Sequence, residues 1–471
     1  MNTIESLREM LNTEVVSNYE PRLIPVVSDR SLELRIVSVL LATMKAVKPF
    51  AKDVLDRFGL RVGKTSKLTC LAELPLKHPK DVKSIVRPDG ILHLKSGTKE
   101  WTAILEAKVK NNVIEESQLQ AYSDVAKGFG IDAVITLTNQ LAFLPTHTPY
   151  KIPKFAGKSV AFYHVSWISL VRQAQLLLGD KENRELNPEQ AFVLNEMIRY
   201  LEHASSGVKR FEQMNDEWPA LIDAVRDNRS FPVTAPEIAN TVTSWHQEER
   251  DVCLLLGKLI AKQVGIHTTK RLRDSAEMRF ADACQALNSS RLLQSRFTIP
   301  DAASELEVNV DLTRKTITCS MELEGPKDFK LATASINWLV RQLKGVDGSD
   351  VTIRANWPRR AASTQALLDE VRNDPRCLVS GELSVLPRSF EILIINEPTK
   401  QRFKGRKNFI LDLERFVPAF YDRVGQRLRR WTPKPPKIES KVDIDVGAGQ
   451  ETESYAAPTY DGTRVETASE C

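Results

Sequence analysis

Between Ser31 and Phe58 the apolar residues Leu34, Val37, Leu41, Met44 and Val47 stand three or four apart, the spacing that puts side chains on one face of a helix. Pro49 has no amide hydrogen to donate and breaks or kinks that helix, so the block predicts one long helix and one short one. The pattern then changes. Lys67–Leu76, Ser84–Leu94 and Trp101–Val109 read as strands, the last two joined by a polar turn at Ser96-Gly97-Thr98. A helix over Glu115–Lys127 stops at Gly128 and Gly130. Asp132–Thr138 is apolar and β-branched, as a central strand should be. A strand at Val160–His164 and a helix at Trp167–Leu178 complete this block.

Gly179–Glu189 is polar and contains Asn187-Pro188, which marks a boundary. Beyond it, helical patterns cover Glu189–Leu201 and Trp245–Val264, and Leu306–Leu323 reads as two short strands around a polar turn. Helices at Thr333–Leu343 and Thr364–Arg372 alternate with strands at Val351–Ala355 and Phe390–Ile395. A long helix over Asn408–Trp431 closes the pattern. From Thr432 onward the chain is acidic, polar and poor in large apolar residues, so disorder is expected. The expected division is 1–180, 187–300 (helical), 301–431 (α+β) and 432–471 (tail).

Composition narrows the class. With 471 residues, 42% hydrophobic and 27% charged, the chain has material for two or three cores. The largely apolar stretch Val37–Met44 is far short of the roughly 20 residues of a membrane span, and the N-terminus lacks a secretion signal. A cytoplasmic location and no membrane partner are expected. Six scattered cysteines without a C-x-x-C pair argue against a zinc site or a disulfide framework. The net charge is +5, but residues 432–471 carry −4, leaving +9 on the remainder, a mild bias toward polyanions.

The chemistry concentrates in three short blocks: Arg87-Pro88-Asp89-Gly90, Leu105-Glu106-Ala107-Lys108 and Gln118-Leu119-Gln120-Ala121-Tyr122. Glu106 and Lys108, two apart on a strand, leave the same face. Asp89 opens the neighbouring strand, so two carboxylates and an ammonium come within reach of one another. Hard divalent cations take such oxygen ligands, and a lysine beside the bound water can serve the nucleophile. Each piece also has an ordinary reading. Pro-Asp-Gly is a common turn, Glu-x-Lys is usually a solvated face, and Gln118 with Tyr122 makes a polar helix surface. The apolar run from Ala103 to Val109 favours a site, because charges inside it need partners.

Together these residues resemble the PD-(D/E)XK nuclease superfamily, with Pro88-Asp89 and Glu106-Ala107-Lys108 as its two half-motifs. Gln118-x-x-x-Tyr122 is similar to the additional motif of the RecB-like branch. The resemblance covers residues 30–170 and implies an α/β fold: a restriction-endonuclease-like α-β-β-β-α-β core with a mixed sheet. It implies magnesium, replaceable by manganese, held by Asp89 and Glu106, with Lys108 assisting phosphodiester hydrolysis and Gln118 and Tyr122 positioning substrate and ligands. An acidic residue on the first helix often joins the metal site in that superfamily. Glu33 fits, and Glu73 is its rival. The whole chain also resembles an actinobacterial family loosely labelled stress-response proteins, on blocks such as Asp132-Ala133-Val134-Ile135-Thr136, Ile198–His203 and Asn337–Leu343.

Other signals are weaker. Gly59–Thr65 ends like a phosphate-binding loop but is one residue short and leads from helix to strand, the reverse of what that loop requires. Lys400–Arg430 holds ten basic and three acidic residues. Lys404, Arg406 and Lys407 on a loop, with Arg423, Arg427 and Arg430 on a helix, form a candidate nucleic-acid contact, or else the solvated face of an amphipathic helix. The expectation is a magnesium-dependent nuclease acting on DNA, suited to defence against foreign DNA, with a homodimer left open. The alternatives are a catalytically inactive nucleic-acid sensor and a regulatory interaction protein.

Overall fold

The computed structural model describes residues 18–25, 31–152, 159–179, 186–227, 229, 232–233, 235–359 and 361–433. The expected acidic tail beyond residue 433 lies outside them. Helix α1 (Leu32–Ala46) ends where α2 (Lys48–Asp56) begins, with Pro49 in the first turn of α2, where a missing amide hydrogen costs nothing. Every residue of α1 from Ile36 to Met44 is buried, so this helix is covered all round and not merely along a stripe. Ser38, within that stretch, exchanges hydrogen bonds with the backbone of Arg22 at 2.7 and 3.0 Å.

Strands β1 (Lys67–Ala72), β4 (Gly90–Ser96) and β5 (Lys99–Ala107) pair antiparallel, while β2 (Leu76–His78) and β3 (Asp81–Val86) form a separate two-stranded ribbon. The expected strand over Ser84–Leu94 is therefore two strands. Pro88 interrupts the ladder, and Gly90 starts the next strand where α1 comes closest. A Cβ on Gly90 would lie 2.8 Å from Leu41 Cδ1 and 3.2 Å from Val37 Cγ1. Glu73, at φ 55°, turns the chain away after β1, which is shorter than expected. Helix α3 (Glu116–Phe129) ends on Gly130 in the left-handed region. Strands β6 (Ala133–Thr138) and β7 (Ala161–Ser166) follow, both parallel to β5, and α4 (Trp167–Gly179) comes next. The sheet, in the order β1-β4-β5-β6-β7, is mixed.

Alternation along β5 separates two cores. Ala103, Leu105 and Ala107 face α1, α2 and α4, whereas Ile104 packs with Leu119, Tyr122 and Val125 of α3. Helix α5 (Pro188–Glu202), opened by a capping box at Asn187, adds Leu194, Met197, Ile198 and Leu201 to the first of these cores and closes the second side of α1.

The remaining elements are α6 (Trp218–Arg226), α7 (Pro236–Ile260), β8 (Gly265–Ile266), α8 (Lys270–Asp274), α9 (Ala276–Ser290), β9 (Leu292–Thr298), β10 (Leu306–Asp311), β11 (Thr316–Glu324), α10 (Ala332–Gln342), β12 (Val351–Asn356), β13 (Thr364–Leu367), α11 (Leu368–Asn373), β14 (Ser389–Asn396), α12 (Lys400–Lys404) and α13 (Arg406–Arg423). They build a seven-stranded antiparallel sheet, β13-β12-β14-β11-β10-β9-β8, over a third core that includes Trp218, Trp245, Phe297, Phe390 and Phe409. The expected helix over Thr364–Arg372 is half strand, because Thr364–Leu367 pairs with β12 before the chain coils. The last helix stops at Arg423, short of the expected Trp431, and a 3₁₀ turn follows at Gly425–Arg427. Among the described residues no helix is long and apolar enough to cross a membrane.

Candidate active site

Glu106 is the centre of the site. It lies at the end of β5 on the face covered by α3, and only 2% of its surface is exposed. A carboxylate so deeply buried must be met by donors. Gln118 Nε2 donates to its Oε1 at 2.6 Å, Lys108 Nζ donates to the same oxygen, and Tyr122 OH donates to Oε2. Gln118 and Tyr122 reach it together because they stand one turn apart on α3, and they also touch each other at 3.4 Å. The Tyr122 phenol is held protonated far above its ordinary range by burial and by the Glu106 charge.

Asp89 sits at the corner just before β4. Gly90 pairs with Leu105, which sets Asp89 beside the Glu106–Ala107 end of β5, and its Oδ2 accepts from the Ala107 amide at 2.7 Å. Burial pushes the Asp89 carboxyl up to about 8, and the charges of Glu106 and, less, Glu33 add to that; the Ala107 hydrogen bond and Lys108 oppose it. Glu33, on the second residue of α1, reaches the strand from the opposite face of the sheet. Its Oε1 accepts from Asn112 Nδ2 at 2.8 Å and from the Val109 amide at 3.5 Å. Glu73 meets Asp89 through backbone only, donating its amide to the Asp89 carbonyl at 3.4 Å.

The segment that carries Lys108 is anchored from three sides. Its amide donates to Leu137 O at 2.8 Å, its carbonyl accepts from Trp167 Nε1 at 3.0 Å, and Lys110 N donates to Gly207 O at 2.9 Å. Gly207, at φ 76°, fits there because a Cβ would press on Val109 and Lys110. Asn139 Nδ2 closes the corner on the carbonyls of Lys110 and Gly207. Asn112, Asn139, Trp167 and Gly207 have no signature in the sequence, since each matters only through a neighbour far away along the chain. Lys108 itself keeps 20% of its side chain exposed, so the ammonium stands at the mouth of the site.

The expected nucleic-acid contact at the C-terminal end does not assemble as one cationic face. Lys404 is paired with Asp223, Arg406 with Asp216 and with Met214 O at 2.7 Å, and Arg423 with Asp350. Arg427 and Arg430 donate to the carbonyls of Arg423 at 3.0 Å and Ala303 at 2.6 Å. Lys407 is exposed. Acidic residues elsewhere in the chain, invisible to a local charge tally, meet three of these six. Lysines also line a groove of about 630 Å³: Lys45, paired with Glu20 at 2.8 Å, with Lys48, Lys52, Lys64 and Lys67, and the Gly63-Lys64-Thr65 segment on its wall.

Among the described residues no group of three or more His, Cys, Asp and Glu side chains is arranged to hold a metal ion. At this site the charges of Glu106 and, less, Glu33 act on Asp89. The chain matches no family model, no curated protein and no solved structure.

Proposed function

We propose that residues 31–179 form a magnesium-dependent nuclease of the PD-(D/E)XK kind that hydrolyses phosphodiester bonds in DNA. The observation that carries this reading is the gathering of side chains at Glu106: Lys108 from just past the end of its strand, Gln118 and Tyr122 from the following helix, and Asp89, at the corner before the adjoining strand, bonded to the neighbouring Ala107 amide. The order of helix, antiparallel strands, helix and parallel strand around that point also supports it.

The donor chemistry fits a divalent cation. Two carboxylates close to one another are hard oxygen ligands; burial chiefly, and the neighbouring negative charges after it, keep Asp89 protonated, and a cation would relieve the charge part of this. Asp89 and Glu106 would hold it, while Glu33, bonded to Asn112 and the Val109 amide, adds its charge from farther off. When bound, the ion supplies Lewis-acid activation of the phosphodiester and its attacking water. The protein's own groups do the rest. Gln118 and Tyr122 fix the Glu106 carboxylate, the Ala107 amide orients Asp89, and Lys108 offers a proton or a positive charge to the phosphate oxygens. The lysine groove supplies a surface for the backbone of a polyanion.

The test is cleavage of mixed single- and double-stranded DNA with magnesium, manganese or chelator, run beside Lys108→Ala. Cutting that needs the metal and falls about 10²-fold or more in the variant upholds the reading. Equal cutting by both proteins defeats it. One observation favours a non-cleaving nucleic-acid binder: both Glu106 oxygens are already occupied by side chains. That reading predicts salt-sensitive DNA retention with no cutting under any metal.

A further inference from the structure

Away from the acidic site, two arginines share a crevice. Arg57, at the end of α2, donates from Nη1 to Ser169 Oγ of α4 at 3.1 Å. Arg250, on α7, lines the same crevice and approaches the Cys253 thiol. Among the described residues neither guanidinium makes an ion pair with a carboxylate. Burial and the Arg250 charge instead lower the Arg57 guanidinium to about 10. Arg172 of α4 completes the wall. It is 5% exposed; its Nη1 donates to Gln175 Oε1 and pairs with Glu202 at 3.8 Å, while its Nε has no hydrogen-bond partner. Lys258 and Lys262 stand at the edge, Lys262 paired with Asp301.

Arg57 and Arg250, each half-buried and without a carboxylate partner among the described residues, repel one another, and an anion between them would relieve that repulsion. The cavities there are small, about 20 and 30 Å³. Each has room for an oxygen or two, enough to seat part of a compact oxyanion at the mouth and too little for a nucleoside. Guanidinium forks, with a hydroxyl at Ser169, match a tetrahedral dianion. We propose that this crevice is a phosphate-binding site, and that a bound phosphoryl group ties α2 and α4 to α7. The site is independent of the nuclease reading. The ligand is either free inorganic phosphate or the terminal phosphate of a nucleotide, whose remainder would stay outside.

The experiment uses the full chain, with inorganic phosphate titrated against chloride at matched ionic strength, followed by equilibrium dialysis and thermal unfolding. The expected result is one phosphate per chain and a saturable rise in Tm. Both are expected to be lost, with affinity at least about tenfold weaker, in Arg57→Gln and Arg250→Gln. Without phosphate, Arg250→Gln should be no less stable than the parent, because it removes a repelling charge. An ATP arm separates the sources: a matching response names a nucleotide phosphate, and a response to inorganic phosphate alone names the free ion. No binding up to about 10 mM phosphate, or binding unchanged in the variants, overturns the site. So does an Arg250→Gln protein that unfolds, since it would show Arg250 already satisfied within the chain.

Discussion

At the scale of the residue, Asp89 and Glu106 differ although both are acids in one site. Glu106 has its charge met by three donors, whereas Asp89 has one backbone amide and two acidic neighbours. Burial first, and then those acidic charges, make the folded protein hold a proton on Asp89 that the unfolded chain gives up near pH 4. This contribution to stability is complete below about pH 4 and is lost as pH rises toward about 8. Replacing Asp89 by Asn should raise Tm relative to the parent by an amount that grows between pH 5 and pH 8. Magnesium at pH 8 should stabilise the parent and leave Asp89→Asn unmoved. A constant Tm difference across that range would contradict the assignment. Tyr122→Phe leaves a buried oxygen of Glu106 without a donor and should cost about 1–3 kcal/mol in denaturant unfolding, with loss of any cleavage activity. The pairing of Glu106 with Lys108 was readable from their spacing on a strand. The protonation of Asp89 was not, because it depends on how deeply the corner is buried.

At the scale of the element, the site depends on how closely α1 lies on β4. Gly90 makes this approach feasible, since any side chain there meets Leu41 and Val37. Gly90→Ala should destabilise by about 1–3 kcal/mol, and the cost should shrink in a Leu41→Ala background, a non-additivity that a double-mutant cycle measures. The same shift moves Glu33 away from Val109 and Asn112. Element identities follow local pattern in α3, where burial is one-sided, and in β6, whose apolar run suits a strand covered on both faces. They depart from it where pairing or covering comes from afar. Thr364–Leu367 is strand because β12 offers an edge, and β9, not foreseen, alternates Leu293, Ser295 and Phe297 inward against its neighbours.

At the scale of the whole molecule, charge is redistributed by folding. Within the basic run Lys400–Arg430, Arg406, Lys404 and Arg423 are met by Asp216, Asp223 and Asp350, and Arg427 and Arg430 by carbonyls. Lysines from two separate stretches, 45–52 and 64–67, instead gather in one groove. If nucleic acid follows that groove, Lys48→Glu with Lys64→Glu should weaken DNA retention and lower the salt slope by roughly 0.7–0.9 per lost phosphate contact. Lys407→Glu should change it little. Filter binding across a salt series decides between them. The sequence by itself determined the periodicities, the breaks at prolines and glycines, and the order in which Asp89, Glu106, Lys108, Gln118 and Tyr122 occur, because these follow from backbone chemistry over a few residues. Only the tertiary structure decided which charges are answered and which are left facing one another. The partners of Glu33, Arg57 and Lys404 lie 76 to 181 residues away, and interaction energy depends on distance in space and on desolvation, to which chain order is blind.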